Sequence, residues 1–116
     1  MTQQRRRVGV WGEDRAVAYL TGAGMTVLDR NWRCRHGELD IVAVDGDCLV
    51  VVEVKTRCSR VFGTALEAVH ARKLARLRVL TGQRLSSHPV HTRRVRIDVV
   101  AVQVDAGSIT HLRGVG

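Results

Sequence analysis

The stretch Leu49-Val50-Val51-Val52-Glu53-Val54-Lys55 constrains this chain more than any other. Consecutive aliphatic residues, mostly β-branched, favour a strand, and a strand that is apolar on both faces has to be covered on both. Within 116 residues, that points to one α/β domain with its sheet between covering layers. Glu53 and Lys55 then interrupt the run at alternate positions. Side chains alternate along a strand, so these two share one face while Val52 and Val54 share the other.

The order of elements around this strand follows from periodicity and turn signals. Residues 9–21 repeat apolar positions at helical spacing, with Val10, Val17 and Leu20 on one stripe, Ala16 beside it, and Gly22-Ala23-Gly24 as the stop. Glu13 lies on that stripe, and an acid on an apolar face needs a reason. Met25 to Arg33 and Glu38 to Val44 read as strands, Asp45-Gly46 as a hairpin turn, and Cys48 to Thr56 as the central strand. Arg57 to Gly63 is a polar, basic loop. Thr64-Ala65-Leu66-Glu67 has the form of a capping box and predicts a helix to about Thr81, stopped by Gly82, with Leu66, Val69, Leu77 and Leu80 facing the sheet. Ser86 to Pro89 reads as a loop, Val95 to Val104 as a strand, and Ile109 to Leu112 as a short last strand. Residues 1–8, with Arg5-Arg6-Arg7, read as a basic tail and 9–116 as a single domain. The expected fold is α/β, a mixed sheet in helix-strand-strand-strand-helix-strand order.

Asp40 can be placed relative to Glu53 by hairpin arithmetic. A two-residue loop, Asp45-Gly46, puts Asp40 diagonal to Glu53, and a four-residue loop, Asp45 to Cys48, puts it directly opposite. Either way Asp40 falls on the face of Glu53 and Lys55. Two carboxylates across a strand pair repel unless something positive lies between them. A hard divalent cation such as Mg²⁺ does this, taking carboxylates, waters and phosphate oxygens, with the Val54 carbonyl as a further donor. A lysine beside it can orient or help deprotonate a water, and its tunable ammonium suits this better than a guanidinium, which cannot lose its proton. Glu13 could reach in as a further ligand or water-holding base. The competing reading is a surface ion-pair ladder, and the interruption of an apolar central strand weighs against it, because unpaired charge is costly there.

Charge bears on the partner. Nineteen Lys and Arg against eleven Asp and Glu give a net charge of +8 and a pI near 10.9, which favours polyanions, nucleic acid before an anionic membrane. Only two of the nineteen are lysines, Lys55 and Lys73, so a lysine at a given place suggests that arginine would not serve there. No apolar run approaches the roughly 20 residues of a membrane span. Cys34, Cys48 and Cys58 are odd in number and show no C-x-x-C pairing, which suits free thiols in a reducing cytoplasm.

An Asp, a hairpin's length of strand and Glu-x-Lys together resemble the PD-(D/E)xK nuclease superfamily of restriction enzymes and archaeal Holliday-junction resolvases. Leu39 stands where that pattern's Pro would be. More closely, Arg35-His36-Gly37-Glu38-Leu39-Asp40-Ile41-Val42-Ala43 with Val52-Glu53-Val54-Lys55-Thr56-Arg57 resembles the YraN family of small bacterial proteins. Glu67-Ala68-Val69, Lys73, Arg76-Leu77 and Ile97-Asp98-Val99-Val100 also fit that family. The resemblance implies a restriction-endonuclease-like core, Asp40 and Glu53 as ligands of Mg²⁺ or Mn²⁺, Lys55 at the attacking water, and Glu13 where resolvases carry an acid on their first helix. It also implies DNA, branched or damaged, as substrate, and a homodimer, since resolvases cut two strands.

Arg33, Arg35, Arg57 and Arg60 flank the expected centre and are candidates to hold phosphates. Arg93, Arg94 and Arg96 could do the same or form a solvated strand edge. Trp11 and Trp32 are read as packing residues before base-stacking ones. The five histidines show no zinc spacing and are expected at the surface; Glu38 and Asp98 are expected to partner arginines. Two other readings stand beside the nuclease: a nucleic-acid-binding module with the same fold but no efficient catalysis, and a basic interaction or assembly protein.

Overall fold

The computed structural model describes residues 3–57 and 71–115, with side chains from residue 6 onward. The apolar run of the sequence forms β3 (Cys48–Arg57), the middle strand of a five-stranded sheet. It is flanked by β2 (Gly37–Asp45) and, in parallel, by β4 (Arg94–Gln103), with β1 (Thr26–Cys34) and β5 (Ile109–Leu112) at the edges. The other three pairings are antiparallel, so the sheet is mixed. Helix α1 (Gln3–Gly22) covers one face and α2 (Ala71–Ser87) the other. This is the α/β order expected from the sequence, with the fifth strand present.

Alternation along β3 explains both layers. Val50 and Val52 pack with Ala16 and Leu20 of α1, while Leu49 and Val51 pack with Leu77 and Leu80 of α2. Each such fully buried aliphatic side chain stabilises the fold by about 1.5–3 kcal/mol.

Two helix boundaries and one buried row differ from the sequence reading. Helix α1 begins at Gln3, so Arg5-Arg6-Arg7 belong to it and not to a separate tail. Its buried row runs through Gly12, Ala16 and Leu20, while Val10 is 55% exposed. The row shifts because Gly12 lies against β3: a methyl group there would collide with the Thr56 hydroxyl. Helix α2 continues through Gly82 to Ser87. Its last turn is tied down from outside the helix, since Arg84 donates to Asp29 Oδ2 of β1 at 2.7 Å, and Leu85 packs on the sheet. The capping box at 64–67, with Leu66 and Val69, lies outside the described residues. Gly22 and Gly24 end α1 as expected, with Gly24 at φ 94° and Met25 N donating to Leu20 O.

The α1–β3 contact fixes the C-terminal half of β3, where Glu53 and Lys55 lie. Gly12→Ala should cost about 1–3 kcal/mol through overpacking. Gly9→Ala, where a methyl meets nothing within 4 Å, should instead gain about 0.5–1 kcal/mol of helix propensity. Urea unfolding of the two variants checks the opposite signs.

Candidate active site

The hairpin between β2 and β3 decides where the acids meet. Asp45 pairs with Cys48 and Val44 with Leu49, leaving Gly46-Asp47 as the turn, with Gly46 at φ 61°. Of the two registers weighed from the sequence, this is the one with Asp40 opposite Glu53. Regular pairing stops at Ile41 with Val52. Beyond that point the ladder gives way to a side chain: Asp40 Oδ2 accepts a hydrogen bond from Val54 N at 2.9 Å. The alternation of β2 also breaks here, because Leu39 and Val42 both join the α2-side cluster while Ile41 joins the α1 side. Strand β1 has a matching irregularity at Asn31, φ 53°. Arg30 and Asn31 both turn to acids of α1, Asp14 at 2.6 Å and Glu13 at 3.1 Å, and Trp32 then packs on the α2 side.

A cavity of about 280 Å³ opens where the strands part, under α2. Its sheet wall carries Glu38, Asp40 and Glu53, and its helix wall carries Lys73 and Arg76, with Gly37, Leu77 and Leu80 also lining it. Lys73 Nζ is 2.9 Å from Glu53 Oε1 and Lys55 Nζ is 3.6 Å from the same oxygen. Both lysines of the chain thus converge on one buried carboxylate. Among the described residues Asp40 receives only the Val54 amide. Burial and the charge of Glu53, with smaller contributions from Glu13 and Glu38, push its carboxyl up from 3.8 to about 7 against the pull of that amide. Burial and a hydrogen bond with Lys73 pull the Lys55 ammonium down, although Glu53 opposes this. Burial acts the same way on Lys73, but hydrogen bonds to Lys55 and Glu53 outweigh it and hold Lys73 above its ordinary value.

The other candidates are placed as follows. Glu13 accepts from Asn31, lies 4.0 Å from Arg30, and does not line the cavity; it reaches Asp40 by its field. Val54 enters through its amide, not as a wall of the cavity. Glu38 holds Arg33 at 2.8 Å, and Arg33 and Arg35 border a second hollow that shares Gly37 and Glu38 with the first. Arg57 is near enough to Lys55 to lower its pKa, and Arg60 lies outside the described residues. Arg94 and Arg96 are engaged by Asp47, Asp45 and Asp98, beside the opposite end of β3 from Glu53. Trp11 packs on the α1-side core under Arg15 and Trp32 on the α2 side, as packing residues.

Asp98 does partner an arginine: its fully buried carboxylate accepts from Arg96 at 3.0 Å, Gly114 N at 3.0 Å and His111 Nε2 at 2.7 Å. His111 is a correction to the expected surface histidines. Its side chain is 4% exposed, because Tyr19 Oη, 3.0 Å from Nδ1, and Asp98 together satisfy the ring. Lys73 and Arg76 were not singled out as site residues; the scarcity of lysine was the available signal for Lys73. Among the described residues no group of three or more His, Cys, Asp or Glu is arranged to hold a metal ion; those residues bring together the carboxylates of Asp40 and Glu53. None of the described helices is long and apolar enough to cross a membrane.

The profile of "Uncharacterised protein family UPF0102" matches residues 12–102, which include every residue of this cavity. The chain belongs to the UPF0102 family. A UPF0102 protein of Kineococcus radiotolerans is 63% identical over 112 residues, 93% of this chain and 92% of the relative. One of Beutenbergia cavernae is 54% identical over 94% of this chain and 95% of the relative. One of Mycolicibacterium vanbaalenii is 48% identical over 98% and 97%. The UPF0102, or YraN, resemblance read from the two strands thus extends over nearly the whole chain.

The raised Asp40 carboxyl has a consequence for stability. From its ordinary value near 3.8 up to about 7, the folded protein binds more protons at Asp40 than the unfolded chain does. Its contribution to stability is therefore present at low pH, falls as pH rises through that window, and levels off above it. We expect Asp40→Asn to remove a dependence worth on the order of a few kcal/mol between about pH 4 and about pH 8. Urea unfolding of metal-free protein and variant across that range measures it.

Proposed function

We propose that this protein is a metal-dependent nuclease that hydrolyses phosphodiester bonds of DNA, branched or damaged DNA included. The observation that carries the reading is the meeting of Asp40 and Glu53 where strand pairing ends, with Lys55 beside them. Among the described residues no ammonium or guanidinium hydrogen-bonds to Asp40, and burial and the charge of Glu53 displace its pKa upward. The donor set fits Mg²⁺ or Mn²⁺, which are held by one or two carboxylates plus waters and substrate phosphate. Asp40 and Glu53 would hold the ion, with the Val54 carbonyl as main-chain donor. A bound ion supplies Lewis-acid polarisation of the phosphate and a more acidic water.

The chain's own residues have separable tasks in this reading. Lys55, with its ammonium pKa lowered by burial, accepts or orients the proton of the attacking water. Arg33 and Arg35, exposed beside the cavity, and Arg57 near Lys55 supply positive charge for the flanking backbone, as does Arg60 in the same basic stretch of sequence. The free Cys34 and Cys48 thiols suit the reducing cytoplasm, where its DNA would be found. Cutting two strands of a branched substrate would require a homodimer.

One observation favours a second reading, a nucleic-acid-binding module without efficient catalysis: the described residues provide a carboxylate pair and not a group of three ligands. The test uses linear, single-stranded and four-way-junction DNA with Mg²⁺, Mn²⁺ or EDTA. We expect cleavage that needs the metal, collapses in Asp40→Asn, and slows by ~10²–10⁴-fold in Lys55→Ala. Binding should persist in Asp40→Asn, which removes one negative charge from a surface that meets phosphates. Unimpaired cleavage in both variants would place the chemistry elsewhere, and binding without cleavage of any substrate would favour the module. Binding itself should weaken with salt, by a log–log slope of about −0.9 per phosphate contact on duplex DNA; a flat response would count against a polyanion partner.

A further inference from the structure

The cavity has a polarity of its own: acids on the sheet, bases on the helix. Among the described residues, Lys73 is the helix-wall residue ion-paired to Glu53, through Nζ to Oε1 at 2.9 Å, closer than Lys55 at 3.6 Å. Arg76, one turn further along α2, faces the same cavity and is exposed. A divalent cation at Glu53 would bring its charge to the oxygen that Lys73 already holds. With Lys55 already 3.6 Å from that oxygen, a metal ion and Lys73 would repel each other strongly there, so Lys73, the cation on the separate helix, yields.

We propose that Lys73 is a resident counter-ion of the metal-free site, displaced from Glu53 by the divalent ion and then transferred to the substrate's phosphate beside Arg76. The inference rests on the metal-dependent reading of the cavity and deepens it by giving α2 the phosphate-binding role. Lys73 then serves two successive states. Without metal it neutralises a carboxylate that burial would otherwise penalise. With metal and substrate bound, it faces a phosphate from the wall opposite the acids. A lysine suits such a transfer, being a compact charge on a flexible stem with no bidentate geometry to break.

Metal binding, separate from cleavage, tests this. Wild-type protein is titrated with Mn²⁺ by calorimetry, beside Asp40→Asn, Lys73→Gln and Lys73→Arg. Lys73→Gln keeps a hydrogen-bond donor near Glu53 but removes the charge, and should bind Mn²⁺ on the order of ten-fold more tightly than wild type. Lys73→Arg keeps the charge and should stay close to wild type. With Ca²⁺ present to hold the site without turnover, Lys73→Gln should bind a short duplex more weakly than wild type. Unchanged or weaker Mn²⁺ affinity in Lys73→Gln overturns the displacement while leaving the metal site standing. Loss of Mn²⁺ binding in wild type itself overturns the metal-dependent reading and this inference with it. Unchanged duplex affinity overturns the transfer to phosphate.

Should Lys73→Gln fail to fold, the wild-type chain answers the displacement question directly, because it contains only two lysines. Its lysine side-chain NMR spectrum has two ε-methylene environments, assigned by Lys55→Arg. Addition of Mg²⁺ up to the saturation found by a parallel calorimetric titration with Mg²⁺ should shift the Lys73 signal as it leaves Glu53. A Lys73 signal unmoved at saturation overturns the proposal.

Discussion

Glu53 is a carboxylate set near the end of a strand that is apolar on both faces, and the surrounding structure follows from how that charge is accommodated. Burying an ionised carboxylate without a partner would cost several kcal/mol, enough to threaten a domain of this size. Two ammonium groups meet it, Lys55 from its own strand and Lys73 from the helix packed above. Packing α2 over the sheet is thus an electrostatic requirement as well as a hydrophobic one. Leu77 and Leu80 cover Leu49 and Val51, and the same helix delivers Lys73 to the acid. Helix α1 fixes the strand from the other face through the close approach of Gly12 to Thr56.

Two aspartates in this small domain show how environment separates structure from chemistry. Asp98 is the more deeply buried, and burial alone would raise its pKa. Hydrogen bonds from Arg96, Gly114 N and His111, and the charge of Arg96, hold it below the usual range instead. Its lone pairs are satisfied, and it ties the chain's last described residues to β4. Asp40 has one amide and a carboxylate neighbour, so its proton is retained to about pH 7. A side chain held out of its preferred charge state in a polar cavity is the kind of group that a cation or a proton-transfer step can use. The electrostatic situations of the two acids are opposite.

The basic residues divide in a comparable way. Arg94, Arg96 and Arg113 answer Asp45, Asp47 and Asp98 around the N-terminal ends of the parallel strands, and Arg84 answers Asp29. These pairs absorb charge that a count of +8 leaves undifferentiated. At the cavity end, Arg35 and Arg76 are exposed and Arg33 is shared with Glu38. Part of the positive charge therefore borders the acids.

Much of this was legible in the sequence because strand geometry is local. A period of two places Glu53 and Lys55 on one face whatever the rest of the chain does, and parity carried Asp40 to the same face for either hairpin loop. The β3 run announced its central position by being apolar on both sides, and Ile109 to Leu112 emerged as a strand with the bounds read for it. Helical rows were less secure. Val10 fits the stripe by spacing alone, but the row is set by where α1 can approach Thr56, which depends on Gly12 and on a strand far away in sequence. Gly82 looked like a stop, and Arg84 reaching Asp29 carried the helix past it. Lys73 and the near-neutral pKa of Asp40 were out of reach for the same reason. Ion pairing and desolvation depend on distance through space and on exclusion of water, and the packing of α2 against β2 and β3 is what sets both.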